Sequence, residues 1–268
     1  MTQSQNQNRG VFFAPLSQDS ANLSTKAKDF FPKIRPWNMG STQQHPDCLV
    51  LGVDLDPVQP PYTLPNCEFR VLDVRTNWQF QDKFDFIHVR MLGEFPTPIF
   101  MTMLDSIYKN LVPGGWTEFT EWIMYLQSAN HSSNGTAFHK WNYNLRSGLH
   151  KVGMSASHVA RYHGKLEAKG FTQITRRKYS VPINQWPPSE KLQTLGGMMS
   201  ENVLAAIEPM TMPIFIGVLD WSEEGARSLL RQVSKDIINT AQHTFIPLMT
   251  VFAQKPVEKP TLADTLHT

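Results

Sequence analysis

The sequence predicts a mostly parallel, doubly wound α/β domain, and three observations carry that prediction. The stretch Leu49-Val50-Leu51-Gly52-Val53-Asp54-Leu55-Asp56 is a short, unbroken apolar run that ends in carboxylates. A run of that length, rich in Val and Leu and free of alternation, reads as a strand buried on both faces, as in a parallel sheet. After it, strand-like runs alternate with helical patterns or long connections, the sequence habit of a parallel sheet. Acids close two of these runs, Asp54 and Asp73, at the carboxyl ends of strands where open α/β folds bind their ligands.

Taken in order, residues 1–10 are rich in Gln and Asn and are expected to be disordered. Val11-Phe12-Phe13-Ala14 has strand character, and Ser20 or Ser24 is placed to cap a short helix through Phe31. Pro32, Pro36 and Pro46 make the approach to Leu49 irregular. Beyond Leu49, a turn through Pro57, Pro60, Pro61 and Pro65 leads to a second strand over 68–73, and 84–90 reads as a third. Met101, Leu104, Ile107, Tyr108 and Leu111 recur at helical spacing from about Pro98. Val112-Pro113-Gly114-Gly115 ends that helix, proline by stopping it and glycine by supplying a positive φ. A long strand is expected over 116–126, helices between Gly135 and Gly170 with a break at Gly153, and a returning strand over 171–181. Residues 189–207 read as a Met-rich helix, and Ser222-Glu223-Glu224 opens another, the serine as N-cap and the acids against the helix dipole. The apolar run 245–252 supplies a last strand, antiparallel in the sheet, which stops at Lys255-Pro256. The division that follows is an irregular N-terminal region over 1–47 with a degenerate first βα unit, a main domain over 48–256 with helical cover at about 135–170 and 189–241, and a loose tail over 257–268.

Composition narrows the function classes. With 268 residues, 41% hydrophobic and 18% charged, the chain has the makings of an ordinary globular domain. A net charge of +2 gives no argument for nucleic acid, and the basic triplet Arg176-Arg177-Lys178 belongs on the solvated face of a strand. Cys48 and Cys67 are the two cysteines; they fit a reducing compartment and offer no metal spacing. No apolar stretch reaches membrane-spanning length, and Met1-Thr2-Gln3-Ser4-Gln5-Asn6 lacks the pattern of a signal peptide. The expected location is cytoplasmic, with the nucleus as the alternative.

At the end of the first run, Asp54 has two readings: it accepts hydrogen bonds from both hydroxyls of a ribose, or it caps the turn before Pro57. Four segments bear on the choice. They are Gly52-Val53-Asp54-Leu55-Asp56-Pro57-Val58-Gln59-Pro60, continuing to Pro65-Asn66-Cys67-Glu68-Phe69; Phe84-Asp85-Phe86-Ile87-His88-Val89-Arg90; Leu111-Val112-Pro113-Gly114-Gly115-Trp116-Thr117-Glu118; and Val181-Pro182-Ile183-Asn184-Gln185-Trp186-Pro187 with Leu219-Asp220-Trp221-Ser222 and Phe245-Ile246-Pro247-Leu248. Over roughly residues 47–256 the sequence resembles the fungal class I methyltransferases that use S-adenosylmethionine, of the LaeA-like, secondary-metabolism type. The resemblance implies a Rossmann-like fold and S-adenosylmethionine as cofactor. It also implies a small-molecule pathway intermediate as the partner, and similarity to regulators adds a protein partner. It implies that Asp54, with Leu55 beside it, meets the ribose, that Asp73, with Val74 beside it, meets the adenine amine, and that Ile87, His88, Val89 and Arg90 line the cleft.

One family feature is missing. The first strand of such a fold leads into a Gly-x-Gly-x-Gly loop that lets backbone approach the cofactor, yet only Gly10 and Gly40 precede Leu49. The first strand is either Val11–Ala14, with a helix over 20–31, or the stretch 30–34 with an irregular crossover; neither supplies the loop. Catalytic candidates are His88, Glu118, Glu121, His139 and Tyr143, with the two glutamates on opposite or nearly opposite sides of their strand. For each the plainer alternative is a satisfied structural or surface residue. The methionines from Met198 to Met212, with Trp186 and Trp221, are expected to pack a helical lid or core, with an apolar acceptor pocket as a further use. Three functions compete for these residues: methyl transfer to a small fungal metabolite, a methyltransferase-like protein without transfer that guides a cyclisation or rearrangement or acts as a regulatory binding partner, and a nicotinamide dehydrogenase. The last lacks its glycine fingerprint and leaves the closing strand unexplained.

Overall fold

In a computed structural model of the chain, the structure describes residues 9–13, 47–54, 64–93 and 95–257. Eight strands form a single sheet among these residues. They are β1 (Arg9–Phe13), β2 (Leu49–Asp54), β3 (Cys67–Val71), β4 (Phe84–Arg90), β5 (Leu111–Trp122), β6 (Gln127–Ser128), β7 (Thr172–Pro182) and β8 (Thr244–Gln254). The helices are α1 (Thr97–Asn110), α2 (Ala137–Lys151), α3 (Tyr162–Lys169), α4 (Glu190–Gly217) and α5 (Glu223–Ile238), with a 3-10 turn over His158–Arg161.

The strand order begins β3-β2-β1-β4-β5-β8. β1 is parallel to both β2 and β4, β3 to β2, and β5 to β4. β8 runs antiparallel to β5 on one edge and to β7 on the other. Phe245 pairs with Gln127 on β6 and with Pro182 on β7, so β6 lies on β5's edge of β8 and continues β5 past a break. The order of strands in sequence reverses between β1 and β4, the mark of a doubly wound, Rossmann-like sheet. The fold class expected from the sequence is the fold found, antiparallel last strand included.

The N-terminus departs from expectation at Arg9 and Gly10, which stand in β1 rather than in a disordered leader. Gly10 lies in register with Val50 on one side and Phe86 on the other, so two flanking ladders fix it. Of the alternatives for the first strand, Val11 to Phe13 lie in the sheet as part of β1; Ala14, the expected helix over 20–31 and the stretch 30–34 fall outside the described residues. The second strand closes at Val71, leaving Asp73 just past its end.

α1 buries Phe100, Met103, Leu104 and Ile107, a single stripe facing the sheet. Its end is held from afar: the ammonium of Lys255 donates to the carbonyls of Tyr108 and Leu111, each at 2.9 Å, which places a cation at the negative end of the helix. Gly114 takes φ +81° as expected, and Gly115 allows a close backbone approach, since a Cβ there would stand 2.9 Å from the Val112 carbonyl oxygen. β5 therefore starts at Leu111, earlier than expected, and breaks off at Trp122 before resuming at Gln127.

The expected helix over 189–207 runs on to Gly217, through Pro209 and Pro213. Tertiary contacts override local propensity there: Thr211 donates to the carbonyl of Ile207 and accepts the indole N–H of Trp141 at 2.7 Å. Ser222 caps α5 as read, accepting from the Gly225 N–H at 3.1 Å. Gly148 and Gly196 lie where helices meet neighbours closely; a Cβ at Gly196 would stand 2.0 Å from the Asn184 carbonyl oxygen.

Two main apolar cores result. One joins β2, β4, β5 and β8 to α1 and α3 through Val53, Ile87, Val89, Leu104, Phe119 and Tyr162. The other joins α2, α4 and α5 through Phe138, Trp141, Phe215, Leu230 and Val233. Trp221 packs at its margin, and the Trp186 indole N–H donates to the Thr244 carbonyl while the ring stacks on His243. Trp221, Met199, Met210 and Met212 thus pack in the helical cover as expected, and Trp186 fastens to β8, whereas Met198 departs from the expectation and is 60% exposed.

Candidate functional site

In an open α/β sheet the crevice for a ligand opens outside the carboxyl ends of the strands where their order reverses. Here that point lies between β1 and β4, with β2 on one side and β5 on the other. Asp54 is the last residue of β2 and is half-buried. Arg90 is the last residue of β4, also half-buried. Val53, Phe13 and Val89 lie level across the three strands. Asp54 and Arg90 are therefore each one step past that level on the same face, roughly 10 Å apart at the usual strand spacing.

Burial holds the Arg90 guanidinium below its ordinary pKa. Leu55 lies outside the described residues. Val89 is fully buried in the sheet core, and Val74 joins the same core against Trp78, whose indole N–H donates to the Val74 carbonyl at 3.1 Å.

Asp73 is already engaged. The Nε of Arg75 donates to Oδ1 at 2.9 Å and Oδ2 at 3.1 Å, Nη2 donates to Oδ2 at 2.8 Å, and the Arg75 backbone N–H donates to Oδ1 at 2.9 Å. The hydrogen bond from Arg75 holds this carboxyl below the usual range. An amine donor reaching Asp73 has to share or displace that guanidinium.

His88 and Glu118 are register partners on β4 and β5, with Nδ1 3.3 Å from Oε1. The same Glu118 oxygen accepts from the Thr120 hydroxyl at 3.1 Å, and Thr120 meets Thr250 on β8 at 3.2 Å. This chain of polar contacts crosses the strands on the face that carries Asp54 and Arg90.

Glu121, an odd step along β5, lies on the opposite face, as the spacing predicts. Met91 directly after β4 adopts φ +53°, and the turned chain aims the Leu92 N–H at Glu121 Oε1, 2.8 Å away. Glu121 Oε2 stands 3.7 Å from Nε2 of His158, and both side chains are nearly excluded from solvent. Tyr162 follows at 5.8 Å between ring centres and stacks on Phe100 at 4.6 Å.

His139 and Tyr143 are exposed on α2, with Tyr143 at 64%. α2 packs on α4 and α5, so the structure does not bring this pair to the strand ends with the other candidates. His158 and Tyr162, which it does bring there, escaped the sequence reading. Their spacing of four residues was the available signal, since it puts a histidine and a tyrosine on one face of a helical segment.

Among the described residues no group of three or more His, Cys, Asp and Glu is arranged to hold a metal ion, and no helix is long and apolar enough to cross a membrane.

Comparison with known proteins meets this geometry from the sequence side. The chain is 27% identical over 223 residues to the methyltransferase pytC of Aspergillus terreus, covering 82% of this chain and 68% of that protein. It is 27% identical over 224 residues to the secondary metabolism regulator laeA of Aspergillus fumigatus, and 29% over 224 residues to the protein-methionine methyltransferase laeA of Emericella nidulans. Both alignments cover 82% of this chain, which spans only 60% of either laeA protein. The resemblance read from the four segments is thus found again in these relatives. No protein-family profile matches the chain. Among solved structures, phosphoethanolamine N-methyltransferase 2 of Haemonchus contortus aligns at 12% identity with a TM-score of 0.44, over 93% of this chain and 49% of that one. That likeness is too slight to add to the strand order.

Proposed function

We propose that the chain is a class I methyltransferase of fungal secondary metabolism that takes its methyl group from S-adenosylmethionine and acts on a small-molecule pathway intermediate. The observation that carries the reading is the position of Asp54. It closes β2 beside the point where strand order reverses, in a sheet whose last strand is inserted antiparallel between β5 and β7. The relatives named as methyltransferases support the same reading. Its place of action in this proposal is the cytoplasm, or the nucleus where it works beside a regulator.

The residues present fit the cofactor in part. A carboxylate with two oxygens suits two adjacent ribose hydroxyls, and Asp54 stands where that need arises. Asp73 suits the adenine amine once Arg75 shares its oxygens. Leu55, next to Asp54 in the sequence, is proposed as a further contact, Val74 and Val89 back the site from within the sheet core, and Arg90 contributes positive charge at the end of β4. When bound, the cofactor supplies a methyl group activated by a sulfonium. The chain's own contribution is then orientation and exclusion of water, because methyl transfer needs a base only when the acceptor must lose a proton. His88, Glu118 and Glu121 are the proposed acid–base groups nearest the strand ends, while His139 and Tyr143 stand on the exposed side of α2.

Two observations favour a second reading, a methyltransferase-like protein without transfer. Ala14, Pro15 and Leu16 follow β1 in the sequence, where the glycine loop is expected, and Arg75 occupies Asp73. Each lost backbone contact is worth about 0.5–1.5 kcal/mol, and 1.4 kcal/mol is about tenfold in affinity. In that case the crevice serves a rearrangement step or a regulatory partner.

Titration calorimetry with S-adenosylmethionine and S-adenosylhomocysteine separates the two. The expected result is micromolar binding that weakens at least about tenfold in Asp54→Ala, as the loss of one charge-assisted contact pair implies. No heat at millimolar cofactor sinks the transfer reading and leaves the second.

A further inference from the structure

On the face opposite Asp54, at the carboxyl ends of β4 and β5, a small recess is lined by Phe95, Phe100, His158, Arg161, Tyr162 and Lys165. It offers about 10 Å³ to the centre of a water-sized group, room for a single oxygen atom and its hydrogen. Glu121 stands behind His158.

The proton inventory of this cluster is unusually definite. His158 Nδ1 lies 3.2 Å from the Ser155 carbonyl oxygen, which can only accept, so Nδ1 carries hydrogen. In the neutral ring Nε2 is then a lone pair. It is buried and has no hydrogen-bond partner; the facing Glu121 oxygen at 3.7 Å is too distant for one. The Tyr162 hydroxyl is likewise buried without a hydrogen-bond partner. Buried polar atoms left in this state are rare in folded proteins, and here a proton acceptor and a proton donor border the same recess. Burial, and after it the Glu121 charge, push the Tyr162 phenol well above its ordinary pKa, with Arg161 opposing, so Tyr162 remains a neutral donor.

We propose that this recess receives a phenolic or enolic hydroxyl of the methyl acceptor, with His158 taking its proton, Tyr162 donating to its oxygen and Glu121 positioning the imidazole. The proposal rests on the methyl-transfer reading above. The acceptor O–H bond breaks and its proton passes to Nε2. The electron pair left on oxygen forms the bond to the methyl carbon of the sulfonium donor, whose C–S bond breaks with both electrons returning to sulfur. The imidazolium is balanced by Glu121 and later gives its proton to water.

Three features select this class of acceptor. The recess admits one oxygen rather than a substituted amine. Arg161 and Lys165 at its rim favour an oxygen gaining negative charge and disfavour a cationic amine. Phe95, half-buried at the mouth, offers an aromatic surface to the part of a flat acceptor that stays outside the recess.

The test uses the full chain and 4-nitrophenol, whose ionised form absorbs in the visible. The expected result is saturable binding with a growing phenolate band, binding without that band in His158→Gln, and roughly tenfold weaker binding in Tyr162→Phe. Tyr162→Phe should also melt no lower than the parent, since it deletes a hydroxyl that has no partner to lose; if His158→Gln does not fold, this variant decides alone. No saturable binding by the parent, or identical titrations of parent and variants, overturns the proposal. Cofactor calorimetry on the same samples keeps the two readings apart. Cofactor binding without phenol binding sinks the recess alone, and phenol binding without cofactor binding sinks methyl transfer while the recess stands.

Discussion

The sheet-side core and the helical cover bury apolar side chains by different means. Around β4 and β5, Ile87, Val89, Leu104, Ile107, Leu111 and Phe119 are fully buried, fixed by ladder register beneath α1 and α3. In the cover, polar links tie the helices together. Thr211 joins α4 to Trp141, and the Asn184 amide donates to the carbonyls of Ile237 and Asn239 at the end of α5. Between these links the packing includes Met124, Met199, Met210 and Met212, side chains with many rotamers and a forgiving shape. One half is set by ladder register beneath two helices; the other is tied by side-chain hydrogen bonds at a few points.

Deleting bulk from the sheet-side core should cost most, because its side chains are fully buried under a fixed register. Phe119→Ala is expected to remove about 3–5 kcal/mol of stability, lowering the melting temperature by roughly 6–20 °C in a domain this size. A loss of under about 1 kcal/mol, well below the usual cost of emptying a core site, would mean that this core collapses as readily as the cover. Trp141→Phe keeps most of the bulk but breaks the 2.7 Å bond to Thr211, and should cost about 1–3 kcal/mol by chemical denaturation. If it proves neutral, the cover is held by packing alone and the contrast fails.

The smallest effect concerns Asp73 and Arg75, which lie outside both cores with side chains 28% and 30% exposed. The folded carboxyl titrates below its unfolded value of about 3.9. Its stabilisation is thus present above that pH and disappears as the pH falls through the lower, folded value. A partly exposed pair contributes about 0–1 kcal/mol, so Arg75→Ala should lower the denaturation midpoint slightly at pH 7 and not at all near pH 2. Cofactor affinity measured on the same variant reports whether releasing Asp73 opens the adenine side of the crevice.

The same contrast explains what could be read in the sequence. The strand over 84–90 and the Ser222 cap were legible to the residue, because period and capping chemistry are local. Asp54 was legible as an acid at a strand end for the same reason. The end of α4 was not, since Pro209 and Pro213 argue against a helix and only Trp141, distant in sequence, argues for one. Nor was the partner of Asp73: nothing in Asp73-Val74-Arg75 says that the chain turns back so that the guanidinium meets the carboxylate. His158 and Tyr162 stayed hidden because their significance depends on Glu121, which reaches them across the sheet edge. The missing glycine loop was plain from the order of residues, since only Gly10 and Gly40 precede Leu49.

The seat of β8 has a consequence for how the protein comes into being. β8 is the last described strand in sequence, yet it lies between β5 and β7, and among the described residues β7 pairs with no other strand. During synthesis, residues 172–182 leave the ribosome with no ladder to join, and β5 keeps an open edge until Thr244–Gln254 follows. Domain completion is thereby tied to the synthesis of residues 244–255, when β8 closes both edges and Lys255 docks on the end of α1. A ribosome stalled before that point carries a nascent chain with unpaired edges, the kind of surface on which chaperones act.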